Sequence, residues 1–266
     1  MIIRVNDLNL AYDDVGPAGA PVILLLHAFP LNRSMWRPQL DFFAETHRCI
    51  APDLRGHGET TYVDTPLGAG QVSMALLAED AVALLAALEI PQVTVCGLSL
   101  GGYVSFALWR RHPDRVRKLI LADTKAQPDN AEQKANRMKQ ADMAIAEGMR
   151  PVADGMLPKL IAPQHEDTVL DVAVRHMIYG TRVAEMVPTL HALADRPDSQ
   201  PTLPTIDVPT LILVGEQDAL TPVKDAELMQ KRIGPLAQWV VIPSAGHLSN
   251  LEQPPTFNLA LRRFLA

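Results

Sequence analysis

Val93-Thr94-Val95-Cys96-Gly97-Leu98-Ser99-Leu100-Gly101-Gly102-Tyr103 is the stretch on which the reading of this chain turns. Val93 to Cys96 is a short β-branched apolar run, the pattern of a buried strand. Ser99 to Leu108 reads as a helix with small residues at its start. Between the two lies Gly97-x-Ser99-x-Gly101, a spacing that lets a sharp strand-to-helix turn hold a serine hydroxyl above a sheet. Such a turn strains the serine backbone, and the glycines leave room for strand and helix to approach. The hydroxyl then sits at the positive end of a helix dipole. A glycine motif this short occurs by chance; the strand before it and the helix after it give it meaning.

Outward from this stretch, strands and helices alternate. Ile2 to Val5 and Leu8 to Tyr12 read as a hairpin turning at Asn6-Asp7. Val22 to Leu26 is a continuous aliphatic run, the mark of a central strand buried on both faces. Arg48 to Ala51, Leu119 to Ala122, Thr210 to Val214 and Trp239 to Ile242 complete eight strands. Ser34 and Ser73 are placed to cap helices, and Pro254-Pro255 suits a helix's first turn. From 125 to 204 there is no strand-like run: methionines recur and prolines break helical patterns, as in an inserted bundle of about four helices. The expectation is an α/β fold with a mostly parallel eight-stranded sheet, its core formed by 1–124 and 205–266, with 125–204 as a helical cap.

The 266 residues suit one such domain, and the net charge of −6 leaves no basic footprint for nucleic acid. The N-terminus lacks the pattern of a signal peptide, and no apolar run approaches the roughly 20 residues of a membrane span. Cys49 and Cys96 fall in strands and read as small core residues. A soluble, cytoplasmic chain is expected, with no nucleic-acid or membrane partner, no cofactor and no metal; homodimerisation stays open.

In parallel sheets, ligands bind at the carboxyl ends of the strands. Ser99, Asp123, Asp218, His247 and His27 all follow strands and so can share one rim. A serine hydroxyl needs a base, and His247, in the small-residue turn Ser244-Ala245-Gly246, is the candidate. The base needs a carboxylate, and the order Ser, Asp, His fits either Asp123 or Asp218. A tetrahedral oxyanion needs N–H donors: Leu100, after the serine, and Phe29, since Pro30 has no N–H. His112, His165, His176 and His191 read as solvated, and His57 as making a structural hydrogen bond.

Taken together, the chain resembles the α/β-hydrolases from end to end. It is most similar to the group containing 3-oxoadipate enol-lactonases, carboxylesterases and cofactor-free haloperoxidase/perhydrolase esterases. The resemblance is carried by His27-Ala28-Phe29-Pro30-Leu31, Ala51 to Gly58, Gly97 to Tyr103, Val214-Gly215-Glu216-Gln217-Asp218 and Ala245 to Pro254. Ala28 stands where the family usually has glycine. The resemblance implies an acid loop at Gly215 to Asp218, which makes Asp218 the preferred acid and leaves Asp123 a rim residue. It implies serine hydrolysis of small esters or lactones, with a lyase or perhydrolase on the same residues as the alternative, and a non-catalytic binding relative as the reading from another class. Substrate contacts are expected from His27 and from cap residues including Met143 and Met177. Methionine is flexible and polarisable, so the expected pocket is permissive, favouring neutral short-chain esters.

Overall fold

In the computed structural model, which describes residues 1–63 and 72–266, nine strands form one sheet. They are β1 (Ile2–Val5), β2 (Leu8–Val15), β3 (Val22–Leu26), β4 (Arg48–Pro52), β5 (Thr61–Tyr62), β6 (Val93–Leu98), β7 (Val116–Ala122), β8 (Thr210–Gly215) and β9 (Ala237–Ile242). Their order is β1-β2-β4-β3-β6-β7-β8-β9, with β5 paired to β2. The ninth strand, β5, was not expected; two residues are too short to show alternation. β1 pairs with β2 through Val5↔Leu8, which makes Asn6-Asp7 the hairpin turn. β2 is antiparallel to β1, β4 and β5, and every other pairing is parallel.

Both faces of the sheet are covered, because the central strands are apolar at successive positions. Side chains alternate between faces. Leu24 and Leu26 of β3 join one core cluster, while Ile23 and Leu25 join the other. Helices α2 (Met74–Ala87) and α3 (Leu100–Arg111) pack in the first cluster, as does α8 (Val223–Ile233). Helices α1 (Arg37–Phe43) and α10 (Pro254–Leu265) pack in the second, with the short α9 (Ser249–Glu252) before α10. Cys49 and Cys96 are buried free thiols in that second cluster.

Between β7 and β8 lie α4 (Ala131–Glu147), α5 (Met149–Leu160), α6 (Val169–Tyr179) and α7 (Val183–Ala194). Asn130 and Gln133 form a reciprocal capping box at the start of α4. Of the 17 residues of α4, only Ala141 and Ala144 are buried. The cap before α1 differs from expectation: Asn32, not Ser34, accepts the Ser34 N–H and starts a 3-10 turn that leads into α1. Ser73 caps α2, accepting the Leu76 N–H at 3.1 Å.

Candidate active site

Ser99 joins the end of β6 to the start of α3 with φ 54° and ψ −109°, a conformation few non-glycine residues adopt. Its carbonyl accepts from Gly102 N–H (2.9 Å), Tyr103 N–H (3.2 Å) and the Thr124 hydroxyl (2.9 Å), and its own N–H donates to Ala122 (3.0 Å). These bonds over-determine the strained residue. A Cβ at Gly97 would stand 2.2 Å from the Gly101 carbonyl oxygen, and one at Gly101 2.0 Å from that of Leu26. No side chain can fit at either position.

The Ser99 hydroxyl donates to His247 Nε2 at 2.8 Å, and His247 Nδ1–H donates to Asp218 Oδ2 at 2.8 Å. A carboxylate only accepts, so Nδ1 carries the proton and Nε2 is free to receive one. Asp218 is fixed in turn. Its Oδ1 accepts from Leu220 N–H (2.8 Å) and Thr221 N–H (3.0 Å), and its Oδ2 from the Thr221 hydroxyl (2.6 Å). Burial alone would raise the Asp218 carboxyl, but the charge and hydrogen bond of His247, with help from Thr221, hold it below the usual carboxylate value. Burial alone would lower His247; Asp218 outweighs it, with Asp123 and Glu252 adding, and the imidazole stays above the ordinary 6.5.

Asp123 follows β7, but its side chain is fully buried and does not line the cavity. Its Oδ1 accepts from Gly215 N–H (2.8 Å), and its Oδ2 from the N–H and hydroxyl of Ser249. Burial, and next the nearby Asp218 charge, push its carboxyl well above the usual range. Phe29 lines the cavity, and no acceptor for its N–H is found among the described residues. The neighbouring Ala28 N–H is taken by Met35 Sδ (3.2 Å). Leu100, as the first residue of α3, has no intrahelical acceptor for its N–H.

Ser99 and His247 open on a cavity of about 520 Å³ roofed by α4 and α5. Gln133, Asn136, Gln140 and Met143 of α4, spaced as one helix face, all line it. Two expected substrate contacts are displaced. His27 is fully buried and does not line the cavity: its Nδ1–H donates to Ala28 O (2.9 Å), its Nε2 accepts the Leu54 N–H (2.9 Å), and burial holds it down to about 4. Met177, on α6, is half-buried against the second core cluster instead. Met143 does line the cavity, with Met156 and Leu160.

The lining also carries a cluster of cations. Lys125, Arg137, Lys139 and Lys159 face the cavity against one carboxylate, Asp129. That carboxylate is already paired with Arg137 and with Arg196 (2.7 Å). Lys125 is half-buried and has no hydrogen-bond or ion-pair partner among the described residues. Burial, and next the charge of Arg196, hold its ammonium below the usual lysine value. Its signal in the sequence was position alone, two residues past Asp123 at the end of β7.

The fold and this rim define a class, and comparison bears it out: the chain belongs to the alpha/beta hydrolase family, whose model matches residues 23–259. Among curated relatives, 3-oxoadipate enol-lactonase 2 of Acinetobacter baylyi is 30% identical over 97% of this chain and 94% of its own. Among solved structures, a thermophilic esterase from Thermogutta terrifontis superposes with TM-score 0.92 at 36% identity, covering 100% of this chain and 98% of that one. The enol-lactonase from Burkholderia xenovorans LB400 superposes with TM-score 0.90 at 28% identity, covering 100% and 99%. With esterase and enol-lactonase relatives along its whole length, the chain is a hydrolase. No helix among its described residues is long and apolar enough to cross a membrane.

Proposed function

We propose that the protein hydrolyses small carboxylic esters or lactones through an acyl-enzyme on Ser99. The observation that carries this is the unbroken hydrogen-bond chain from Ser99 Oγ through His247 to Asp218. Ser99 Oγ attacks the carbonyl carbon while His247 Nε2 takes its proton. Asp218 stabilises the resulting imidazolium. The Phe29 and Leu100 N–H groups receive the oxyanion. The alkoxide leaves with the proton from Nε2, and water, deprotonated by the same nitrogen, releases the acid. A ladder of p-nitrophenyl esters beside an enol-lactone tests the reading; no turnover of any member would leave a binding relative.

The base must be neutral, which sets the sign of the pH dependence. The folded protein keeps His247 protonated to higher pH than free imidazole, so activity develops later on the pH axis. For a neutral ester, kcat/KM is expected to rise tenfold per unit at low pH and level off above a midpoint higher than 6.5. A flat profile from pH 5 to 8 contradicts the role given to His247.

The cations of the cavity favour one substrate type within this class. An unpartnered, half-buried ammonium is costly to leave unpaired. A substrate carboxylate pairs with it, so acidic esters and lactones are preferred over the neutral short-chain esters that methionines alone suggest. Lys125→Gln is expected to cut kcat/KM on p-nitrophenyl hydrogen glutarate by roughly ten- to hundredfold, the worth of a charged hydrogen bond. The loss on p-nitrophenyl butyrate is expected to be several times smaller. Equal losses on both esters would remove Lys125 from substrate recognition.

A further inference from the structure

Glu252, the last residue of α9, is 5% exposed and not in contact with the cavity. Its carboxylate accepts three backbone N–H groups. Gly246 N–H donates to both oxygens (3.0 and 2.9 Å), Leu248 N–H to Oε1 (3.1 Å) and Ala162 N–H to Oε2 (2.8 Å). Gly246 and Leu248 are the residues on either side of His247. Ala162 follows α5, the helix that roofs the cavity, and Leu160 at its end accepts a second bond from Leu248 N–H (3.1 Å).

No lysine or arginine reaches Glu252 within ion-pair distance among the described residues. The one basic side chain within ion-pair distance among the described residues is His165, whose buried Nε2 lies 3.8 Å from Oε2 and has no hydrogen-bond partner. His165 is therefore turned inward, not solvated as expected. Burying a carboxylate without a cation is expensive unless backbone donors surround it. A glutamine could not replace it, because it has one acceptor oxygen and would turn an NH₂ toward an N–H. A charge so held, gripping both peptide units around the base, does more than complete a helix end.

We propose that Glu252 is a positioning residue that acts through His247: it holds the peptide units flanking the imidazole in register with Ser99, and it adds a fixed negative charge that favours the imidazolium formed during catalysis. The same carboxylate ties the roof to the base through Ala162. The ionisable groups facing His247 are Asp218 from the loop after β8, Asp123 at the end of β7 and Glu252 itself. His165 faces Glu252 from the loop after α5.

This inference rests on the acyl-enzyme reading, and its test separates the two. A serine-directed fluorophosphonate counts competent sites in wild type, Glu252→Gln and Glu252→Asp, and kcat, KM and the acidic limb of kcat/KM are then measured per titrated site on p-nitrophenyl butyrate. Glu252→Gln is expected to lower kcat per site by roughly ten- to hundredfold, with KM changed by less than about threefold. Loss of the charge moves its acidic limb toward lower pH by about half a unit or more. Glu252→Asp keeps the charge but cannot reach all three donors: kcat falls several-fold and the limb stays in place. The limb shift is repeated on a His165→Gln background, which removes the imidazole that faces Glu252.

If wild type itself takes no label on Ser99, the acyl-enzyme reading fails. If wild type is labelled, but Glu252→Gln keeps wild-type kcat per site and an unmoved limb, the proposal is overturned. It is overturned equally if the whole loss lies in the number of titratable sites. Should Glu252→Gln not fold, wild-type kcat per site in Glu252→Asp overturns it.

Discussion

Ser99→Ala is expected to lower ester turnover by roughly 10⁴- to 10⁶-fold while leaving the fold intact. The substitution removes one oxygen. The Cβ that tolerates φ 54° at this turn stays, as do the three bonds to the residue's carbonyl, so no new strain enters. Without Oγ, His247 Nε2 has no hydroxyl to deprotonate, and the acyl-enzyme route closes. What remains is binding and N–H stabilisation of a direct water attack. Thermal unfolding of the variant should match wild type. A serine-directed phosphonate should add one adduct to wild type, located on Ser99, and none to the variant. An adduct on another serine, or turnover close to wild type in the variant, ends the assignment.

Asp218→Asn is expected to cost about 10⁴-fold in kcat, and Asp123→Asn about tenfold or less. The difference follows from which oxygen each donor claims. The single oxygen of an asparagine at 218 is drawn to the Leu220 and Thr221 N–H groups, which now bond Oδ1. Its NH₂ then faces His247 Nδ1, a donor that the imidazole must answer with a lone pair. The proton shifts to Nε2, and the ring can no longer accept from Ser99. At 123 the oxygen is held by Gly215 N–H, and the NH₂ meets the Ser249 hydroxyl, which can rotate to accept, so the loss is confined to the long 3.3 Å bond from Ser249 N–H. The base keeps its tautomer. Steady-state kinetics of both variants decide the point, and the reverse ranking would move the acid to the end of β7.

The elbow was legible because strand, turn and helix are local: the residues around Ser99 carry the whole pattern within a few positions. The order of Ser99, Asp218 and His247 was legible because strand ends in a parallel sheet share a rim. The choice between Asp123 and Asp218 was not legible from placement, since both follow strands. It depends on where each carboxyl turns, and Asp123 turns into the body to meet Gly215 and Ser249. His27 was misplaced for the same reason: a strand end locates a backbone, not a ring, and this ring is drawn inward by the Leu54 N–H. Met177 packs against the core because a methionine on an amphipathic helix usually faces the interior. The unpartnered state of Lys125 could not be read at all, because only the fold shows that Asp129 is spent on Arg137 and Arg196.

The helix α4 presents Gln133, Asn136, Gln140 and Met143 to the substrate space, yet sinks only Ala141 and Ala144 into the interior. Exchanges at Asn136, Gln140 and Met143, which unlike Gln133 hold no helix cap, usually change stability by no more than about 0.5 kcal/mol. Drift along this face can therefore re-tailor what the enzyme accepts without touching the sheet or the strained serine turn. The roof is where descendants of this chain can diverge in diet while inheriting the same machinery, and it is where a laboratory library should be placed.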